Sequence, residues 1–471
     1  MKVLKFGGTS VGTIESLANV KAIVESHSGD QIVVVSALGG LTDRLIATAN
    51  EAMAGADVQE ALDGFAKRHH DIIDALVPEQ RRGSVTVSVD SVLTELAGYY
   101  TAVKATGELS ANTLNNIVAC GERMSSVIVA NVIKDAVHVD SLQFIKTRRQ
   151  PGANVLDSVA TDPLIDSTFK DIKAPVIVAG GFISTDSTDG SVTNLGRGGS
   201  DYTAAILAAR LGAEVLEIWT DVDGFMTADP RLIPEAKVVD RMSFIEAMDL
   251  CNFGAKVIYP PTIYPVFNRR IPIVIKNTHN PQAPGTWISD SDDGVDPLPV
   301  KGVSAIRDTA MMTLTGDEAI THSSAAPNSL MFKAMGAFGV TIFPLVRPQV
   351  EGCVAAFAVK SDASDIAMRA VAEEFAKEWK SGEVSGLSIE RSLATIAVVG
   401  RNIKSYPHLI QRLTDIMAQN GIDILARAGG SSETSVSFVI SGRHLQKALE
   451  KLHEALFSSR QTTINNPELF S

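Results

Sequence analysis

The chain has 471 residues, 45% hydrophobic and 20% charged, with a formal net charge of −12. That length holds two or three domains with full cores, and the acidic balance argues against nucleic acid as a partner, because a phosphate backbone calls for a basic surface. No apolar run is long enough to cross a bilayer, and three scattered cysteines, Cys120, Cys251 and Cys353, support neither a disulfide framework nor a zinc site.

The first element is a strand, KVLKF, with no charged leader or small-residue cleavage site before it, which points to a cytoplasmic chain. It runs into KFGGTS, where Gly7 and Gly8 let backbone N–H groups approach a ligand and Thr9 or Ser10 is placed to cap a following helix. Such a start suits an anion. QIVVVSAL is the second strand, ending in SALGGLTD, and helices rich in Ala and Leu follow. Within them the pair His69 and His70 reads as an exposed helix face, since adjacent helical positions point in different directions. GERMSS reads as the start of a helix, with Glu122 just inside it. AVHVDSL, APVIVAGGFIST, EVLEIWTDVDG and RIPIVIKNT are read as further strands, and NLGRGGSDYTAA as a glycine-rich loop before a helix.

Short apolar strands between longer amphipathic segments imply an α/β fold with a mainly parallel sheet and helices on both faces. In such sheets ligands sit beyond the carboxyl ends of the strands, which is where each polar cluster falls. There is neither a G-x-x-x-x-G-K-[ST] loop nor a G-x-G-x-x-G after a strand, so any phosphate site is built differently.

Acidic, Gly and Pro residues gather between Ser289 and Gly302, and beyond them the pattern repeats. AMMTLTG, PNSLMFKAMGAFG, GVTIFPLV, GCVAAFAV and SDIAMRAVAEEFAKEW form one copy. ATIAVVG, YPHLIQRLTDIMAQNG, IDILARAG, TSVSFVISG and HLQKALEKLHEALF form the second. Leu445, Leu449, Leu452 and Leu456 make one stripe of the last helix, and Pro407 and Gly421 bracket an earlier one. Two ferredoxin-like βαββαβ units are expected. The domains read as 1–290, a linker over 291–302, modules over 303–388 and 389–460, and a tail over 461–471.

Six motifs in order, KFGGTS, SALGGLTD, GERMSS, NLGRGGSDYTAA, WTDVDGFMTADPR and FGAKVIYPPTI, resemble the aspartokinase family of the amino-acid-kinase fold, and the tail resembles its paired ACT modules. IKNTHNPQAPGTWI and DPLPVKGVSAI look closest to the kinase half of the bifunctional aspartokinase–homoserine dehydrogenases. The resemblance implies a three-layer αβα sandwich followed by two ACT domains, and transfer of the ATP γ-phosphate to the β-carboxylate of L-aspartate, the first step towards lysine, methionine and threonine. It implies Lys5, Gly7, Gly8, Thr9 and Ser10 at the phosphates, with Lys5 and Asp201 catalytic.

The same resemblance implies Arg197 at the substrate carboxylate, Glu122 at its ammonium, and Ser36, Thr42, Phe182 and Ser200 as further substrate contacts. It puts Thr220 and Asp221 by the base and ribose, Arg231 and Lys256 by the phosphates, and Met226 where relatives often carry an aromatic. Tyr259 stands where histidine is common. Plainer readings are an N-terminal helix charge for Glu122, a helix cap for Ser200 and Asp201, and a turn for Asp223. Mg²⁺ should arrive with ATP, held mainly through phosphates and waters, with no protein ligand assigned.

Two other readings compete: a kinase of the same fold acting on glutamate, acetylglutamate or carbamate, and an amino-acid sensor with an inactive kinase scaffold. The resemblance further implies a homo-oligomer paired through ACT modules and an amino-acid effector. The second module keeps a serine-rich turn, AGGSSETS, with Glu433, whereas the first reads PLVRPQVEGCVAAF, whose prolines Pro344 and Pro348 lack an N–H. Inhibition by lysine or threonine is therefore expected to be weak or absent, or replaced by another effector meeting Arg347 or Glu351.

Overall fold

The computed structural model describes residues 1–150, 153–290, 300–317, 334–336, 342–346, 351–401, 403, 406–428 and 433–457. The linker over 291–299, most of the helix expected over 327–339, Arg347, Gln349, residues 429–432 of the serine-rich turn, and the tail lie outside them. The chain forms two compact units, Met1–Phe225 with Val257–Asp290, and Met226–Lys256 with Ser291–Ser471.

The first unit opens with β1 (Lys2–Phe6), the four-residue α1 (Gly8–Val11) and α2 (Ile14–Ser26). The expected hydroxyl cap at Thr9 or Ser10 is not formed: Gly7 precedes α1 without a side-chain bond, and the capping box lies later, between Thr13 and Ser16. Then come β2 (Gln31–Val35), α3 (Leu41–Met53), α4 (Gln59–Leu76), α5 (Glu79–Thr106) and α6 (Ala111–Val132). β3 (Ala136–Val139), β4 (Lys146–Gln150), β5 (Ala153–Leu156), α7 (Ser158–Phe169), β6 (Val176–Gly180) and β7 (Ile183–Asp186) follow. β8 (Val192–Asn194), α8 (Gly199–Leu211) and β9 (Leu216–Thr220) complete the first stretch. The chain next contributes β10 (Arg241–Met242) and α9 (Phe244–Asn252) to the second unit. It returns to the first as α10 (Tyr264–Arg269), β11 (Ile273–Asn277) and β12 (Thr286–Ile288).

The main sheet of this unit runs β12-β11-β9-β1-β2-β6-β3, parallel throughout except at the β12 edge. A second sheet runs β5-β4-β7-β8. The sequence reading took 174–185 as one strand, but Phe182 has a left-handed φ of 67°, and this break sends β6 and β7 into different sheets. Alternation splits the main sheet's side chains. Leu4, Phe6, Val33 and Val35 join the core formed with α2 to α6, while Lys5 points to the opposite face, where α8 packs on β1 and β2.

His69 corrects the reading of an exposed pair. It lies fully buried with Phe65, Ile72 and Ile73 on the inner face of α4, Nδ1 on the Phe65 carbonyl at 2.7 Å, and burial pushes its pKa down to about 4. His70 faces outward, to Asp90.

The second unit is organised by two 17-residue strands, β13 (Val300–Gly316) and β16 (Val384–Gly400), paired antiparallel along their length. Between them lie β14 (Phe343–Val346), β15 (Cys353–Lys360), α11 (Ser364–Glu374) and α12 (Ala376–Ser381). After them come α13 (Pro407–Gln419), β17 (Ala426–Ala428), β18 (Ser435–Ser441) and α14 (Leu445–Phe457). The modules are not consecutive beads. The later half of β13 and early half of β16 sit with β14 and β15, whereas the early half of β13 and later half of β16 sit with β17 and β18. β14 and β17 pair as well, closing a barrel in the order β13-β15-β14-β17-β18-β16.

The leucine stripe of α14 is buried against Val303, Ile396, Val398 and Phe438, with Ala228 and Ile233 of the excursion in the same cluster. Among the described residues no helix is long and apolar enough to cross a membrane.

Candidate active site

At the carboxyl ends of β1 and β2 two glycine turns touch. A Cβ on Gly8 would lie 3.0 Å from the Ala37 carbonyl oxygen and 3.2 Å from Gly39 Cα, and one on Gly12 would lie 2.9 Å from the Gly8 carbonyl oxygen. Side chains are excluded there, so backbone lines the surface. The Gly7 N–H donates to the Trp219 carbonyl at 3.2 Å, tying the first turn to β9. Thr9 is exposed. Ser10 is buried, its hydroxyl 2.7 Å from that of Thr278, so this side chain holds the loop in place.

Lys5, on β1 between Val34 and Ile218, reaches Asp201 in the first turn of α8 with Nζ 2.6 Å from Oδ1. The two residues are distant in sequence, and both side chains are nearly buried, at 11% and 12% exposure. The ammonium also stands 3.5 Å from where a Gly7 Cβ would be, beside the glycine turn. Asp201 gains from the partial positive charge at a helix start. The cap reading for Ser200 and Asp201 is corrected: Gly198, at φ 69°, is the cap residue and makes no side-chain bond.

Glu122 is not at a helix start. It lies midway along α6, 3% exposed, with Oε1 accepting the Ala37 N–H at 3.1 Å and Oε2 without any hydrogen-bond partner. Burial drives its carboxyl up to about 8 against the opposing pull of the Ala37 bond. Gly121 lies mid-helix, at a place where a Cβ would sit 2.7 Å from Ala37 Cβ.

Phe182 connects these groups. Its N–H donates to Thr203 Oγ1 at 3.1 Å, and Gly199 packs against its ring. Gly181 lies so close to Ser200 that a Cβ would meet Ser200 Cβ at 2.5 Å. Gly180 packs on Glu122, and Ser36 accepts the Ser125 hydroxyl at its carbonyl, 2.8 Å away. A left-handed phenylalanine is strained backbone, held by these contacts. Lys5, Asp201, Ser200, Phe182, Glu122, Ser36, Gly7 and Gly8 thus converge at the carboxyl ends of β1, β2 and β6.

Thr42 is the second residue of α3, partly buried. Arg197 is exposed between Gly196 and Gly198, at φ 72° and 69°, with no ion pair among the described residues. Tyr259 fills the space over Gly198, where a Cβ would lie 2.5 Å from Tyr259 Cβ. At the end of β9, Thr220 donates to Asp221 at 3.2 Å, and Asp223 accepts from the side chains of Asn277 and Asn280, both distant in sequence.

Met226, Arg231 and Lys256 belong to the second unit, with Arg231 exposed and bound bidentately by Asp229 at 2.9 and 2.7 Å. Sequence reasoning missed the supporting residues Thr278, Thr203 and Ala37. All three lie inside motifs of the sequence, Ala37 in SALGGLTD, Thr203 in NLGRGGSDYTAA and Thr278 in IKNTHNPQAPGTWI, but their contacts are to distant residues and leave no local signal. No group of three or more His, Cys, Asp or Glu side chains among the described residues is placed to hold a metal ion.

The model of the amino acid kinase family matches residues 1–277, and that of an ACT domain matches 396–456. The chain belongs to the amino acid kinase family. Within it, the chain is similar to the bifunctional aspartokinase/homoserine dehydrogenase of Haemophilus influenzae, 31% identical over 98% of this chain and 57% of that protein. It is also 28% identical to lysine-sensitive aspartokinase 3 of Escherichia coli, over 97% of this chain and 99% of that one. The solved structure of E. coli aspartokinase III with aspartate and ADP superposes with a TM-score of 0.80 at 25% identity, covering 97% and 100% of the two chains. The chain spans about half the length of the bifunctional relatives it matches.

Proposed function

We propose that this chain is an ATP-dependent aspartate kinase that forms 4-phospho-L-aspartate. The observation that carries the reading is the Lys5–Asp201 pair beside touching glycine turns, in one unit with a buried carboxyl group whose Oε2 has no hydrogen-bond partner. Phosphoryl transfer asks for positioning and charge neutralisation more than covalent work. An oxygen of the substrate β-carboxylate bonds to the γ-phosphorus as the bond to the β–γ bridging oxygen breaks, and ADP leaves. The β-carboxylate, with a pKa of about 3.9, is already ionised, so no general base is needed.

Lys5 answers the charge that grows on the transferring group, and Asp201 fixes its ammonium. Glu122 receives the α-ammonium at Oε2, and Arg197 offers a planar fork to the α-carboxylate. Ser36, Thr42, Phe182 and Ser200 line the acceptor side. Gly8 and Thr9 meet the phosphates through the backbone, with Gly7, whose own N–H is given to Trp219, shaping the turn beside them and Ser10 behind. The roles of Thr220, Asp221, Met226, Arg231 and Lys256 towards the nucleotide rest on family resemblance. Mg²⁺ would be held chiefly by ATP oxygens and water, and would supply charge neutralisation when bound. A catalytic domain followed by two interleaved ACT modules, pairing of chains through them, a cytoplasmic location and weak control by lysine or threonine form part of the same proposal.

Hydroxylamine trapping of acyl phosphate, with ATP, Mg²⁺ and a panel of acidic amino acids, tests it. Hydroxamate from L-aspartate is expected. Product from glutamate, acetylglutamate or carbamate instead supports the rival kinase, and amino-acid binding without any product supports the sensor.

A further inference from the structure

Arg68 is a cation that the mechanism above leaves unused. It projects from α4, partly buried, and Nη2 donates to the Gly12 carbonyl at 2.9 Å, where the glycine loop ends. The approach is close: a Cβ on Gly12 would lie 3.3 Å from that nitrogen and 3.1 Å from the Gly39 amide nitrogen, so Arg68 meets the first glycine turn at the place where it packs on the second. No carboxylate pairs with Arg68 among the described residues, and its neighbour His69 is buried and held neutral by its surroundings. Burial lowers the guanidinium's pKa.

Any neutral donor could satisfy one carbonyl. A guanidinium that is partly desolvated and offers five donors to a single neutral oxygen carries an uncompensated charge, which is costly unless an anion comes to the loop. The rest of the loop is tied by the Gly7 N–H to the Trp219 carbonyl and by the Ser10–Thr278 hydroxyl pair, and Arg68 holds its Gly12 end.

We infer that Arg68 is a positioning residue for the phosphate end of the site, fixing the Gly12 carbonyl and backing the Gly7–Gly12 loop with positive charge. This rests on the reading that the loop receives ATP phosphates. Arg68 touches no substrate. It acts through the loop, so its loss weakens the nucleotide and spares the amino acid.

The test uses the full chain with Arg68→Met and Arg68→Lys, measuring affinity for Mg·ADP and for L-aspartate by calorimetry beside thermal stability and the hydroxamate assay. Arg68→Met should weaken ADP about 5- to 20-fold and leave aspartate within about twofold, and Arg68→Lys should recover most of the loss. ADP affinity within twofold of wild type in Arg68→Met overturns the inference. So does equal weakening of both ligands with a lowered melting temperature, which would make Arg68 a fold support only. Wild-type chain that binds ADP but phosphorylates no aspartate refutes the functional proposal and leaves the Arg68 comparison valid; wild-type chain that binds no ADP refutes both.

Discussion

Glu122→Gln is the sharpest perturbation this site allows, because it removes a charge and almost no volume. The variant amide keeps an oxygen for the Ala37 N–H, which donates at 3.1 Å, while the buried, unpartnered Oε2 position becomes a neutral NH₂. The wild-type carboxyl titrates near 8 in the folded chain against an ordinary value of 4.5. Between those values the native state holds a proton that the unfolded chain has released, so stability falls as pH rises. The contribution is full below 4.5 and lost as pH passes through about 8.

At about 1.4 kcal/mol for each tenfold change in proton affinity, the ceiling is about 5 kcal/mol, and water entry and relaxation bring the expected figure to about 2–3 kcal/mol. For a domain of this size, each kcal/mol is about 2–4 °C in melting temperature. Glu122→Gln should match wild type at pH 5 and exceed it by about 5–10 °C at pH 9, measured by scanning fluorimetry. L-Aspartate should stabilise wild type increasingly towards pH 8.5, as its ammonium pairs with the freed carboxylate, and should stabilise the variant hardly at all. Parallel pH curves for the two proteins, or an undiminished aspartate effect in the variant, would refute the placement of Glu122 at the substrate ammonium.

Lys5→Met should lower kcat about 10²- to 10³-fold, the usual loss for a group that meets transition-state charge, with ADP affinity less affected; near-normal turnover removes Lys5 from its role. Arg197→Lys should raise the KM for aspartate, since a point charge cannot reproduce two parallel hydrogen bonds, and a change in ATP saturation alone would show the two subsites to be reversed. Gly181→Ala places a Cβ 2.5 Å from Ser200 Cβ, and overpacking of this kind costs about 1–3 kcal/mol, read as a lower melting temperature; an unchanged one argues that Ser200 moves freely. His69 titrates at about 4 folded against 6.5 ordinarily, so the stability it gives above pH 6.5 is lost as pH falls through 4. His69→Leu should flatten the acid limb of the melting profile, and an unchanged limb assigns it to other groups.

The sequence carries strand ends better than it carries helix starts. Lys5 stood out because an apolar strand stops at two glycines, a local signal that the structure keeps. Glu122 was misplaced because Gly121 looks like a helix break until Ala37, from another strand end, is seen to need the space. The Lys5–Asp201 contact joins residues far apart in the chain and has no local signature. His69 shows the same limit, since a histidine pair reads as polar until Phe65, Ile72 and Ile73 are seen to bury one face of α4. In the second unit the repeat was legible from its alternating strands. The extension of the first strand back to Val300, and the strand that begins at Val384, were not, because VSGLSIER mixes polar and apolar residues without a clean period.

The two 17-residue strands of the second unit bear on how such a chain can be cut and recombined. Each supplies one half of its length to either module, so a crossover inside 300–316 or 384–400 truncates both sheets at once. A cassette taken from 303 onward leaves the second module without part of an edge partner, and one taken from Ser291 still omits Met226–Lys256, whose Ala228 and Ile233 fill its core. Exchange of effector response between relatives by swapping terminal segments therefore meets a physical obstacle here, and grafts have to be made side chain by side chain within an intact pair of strands.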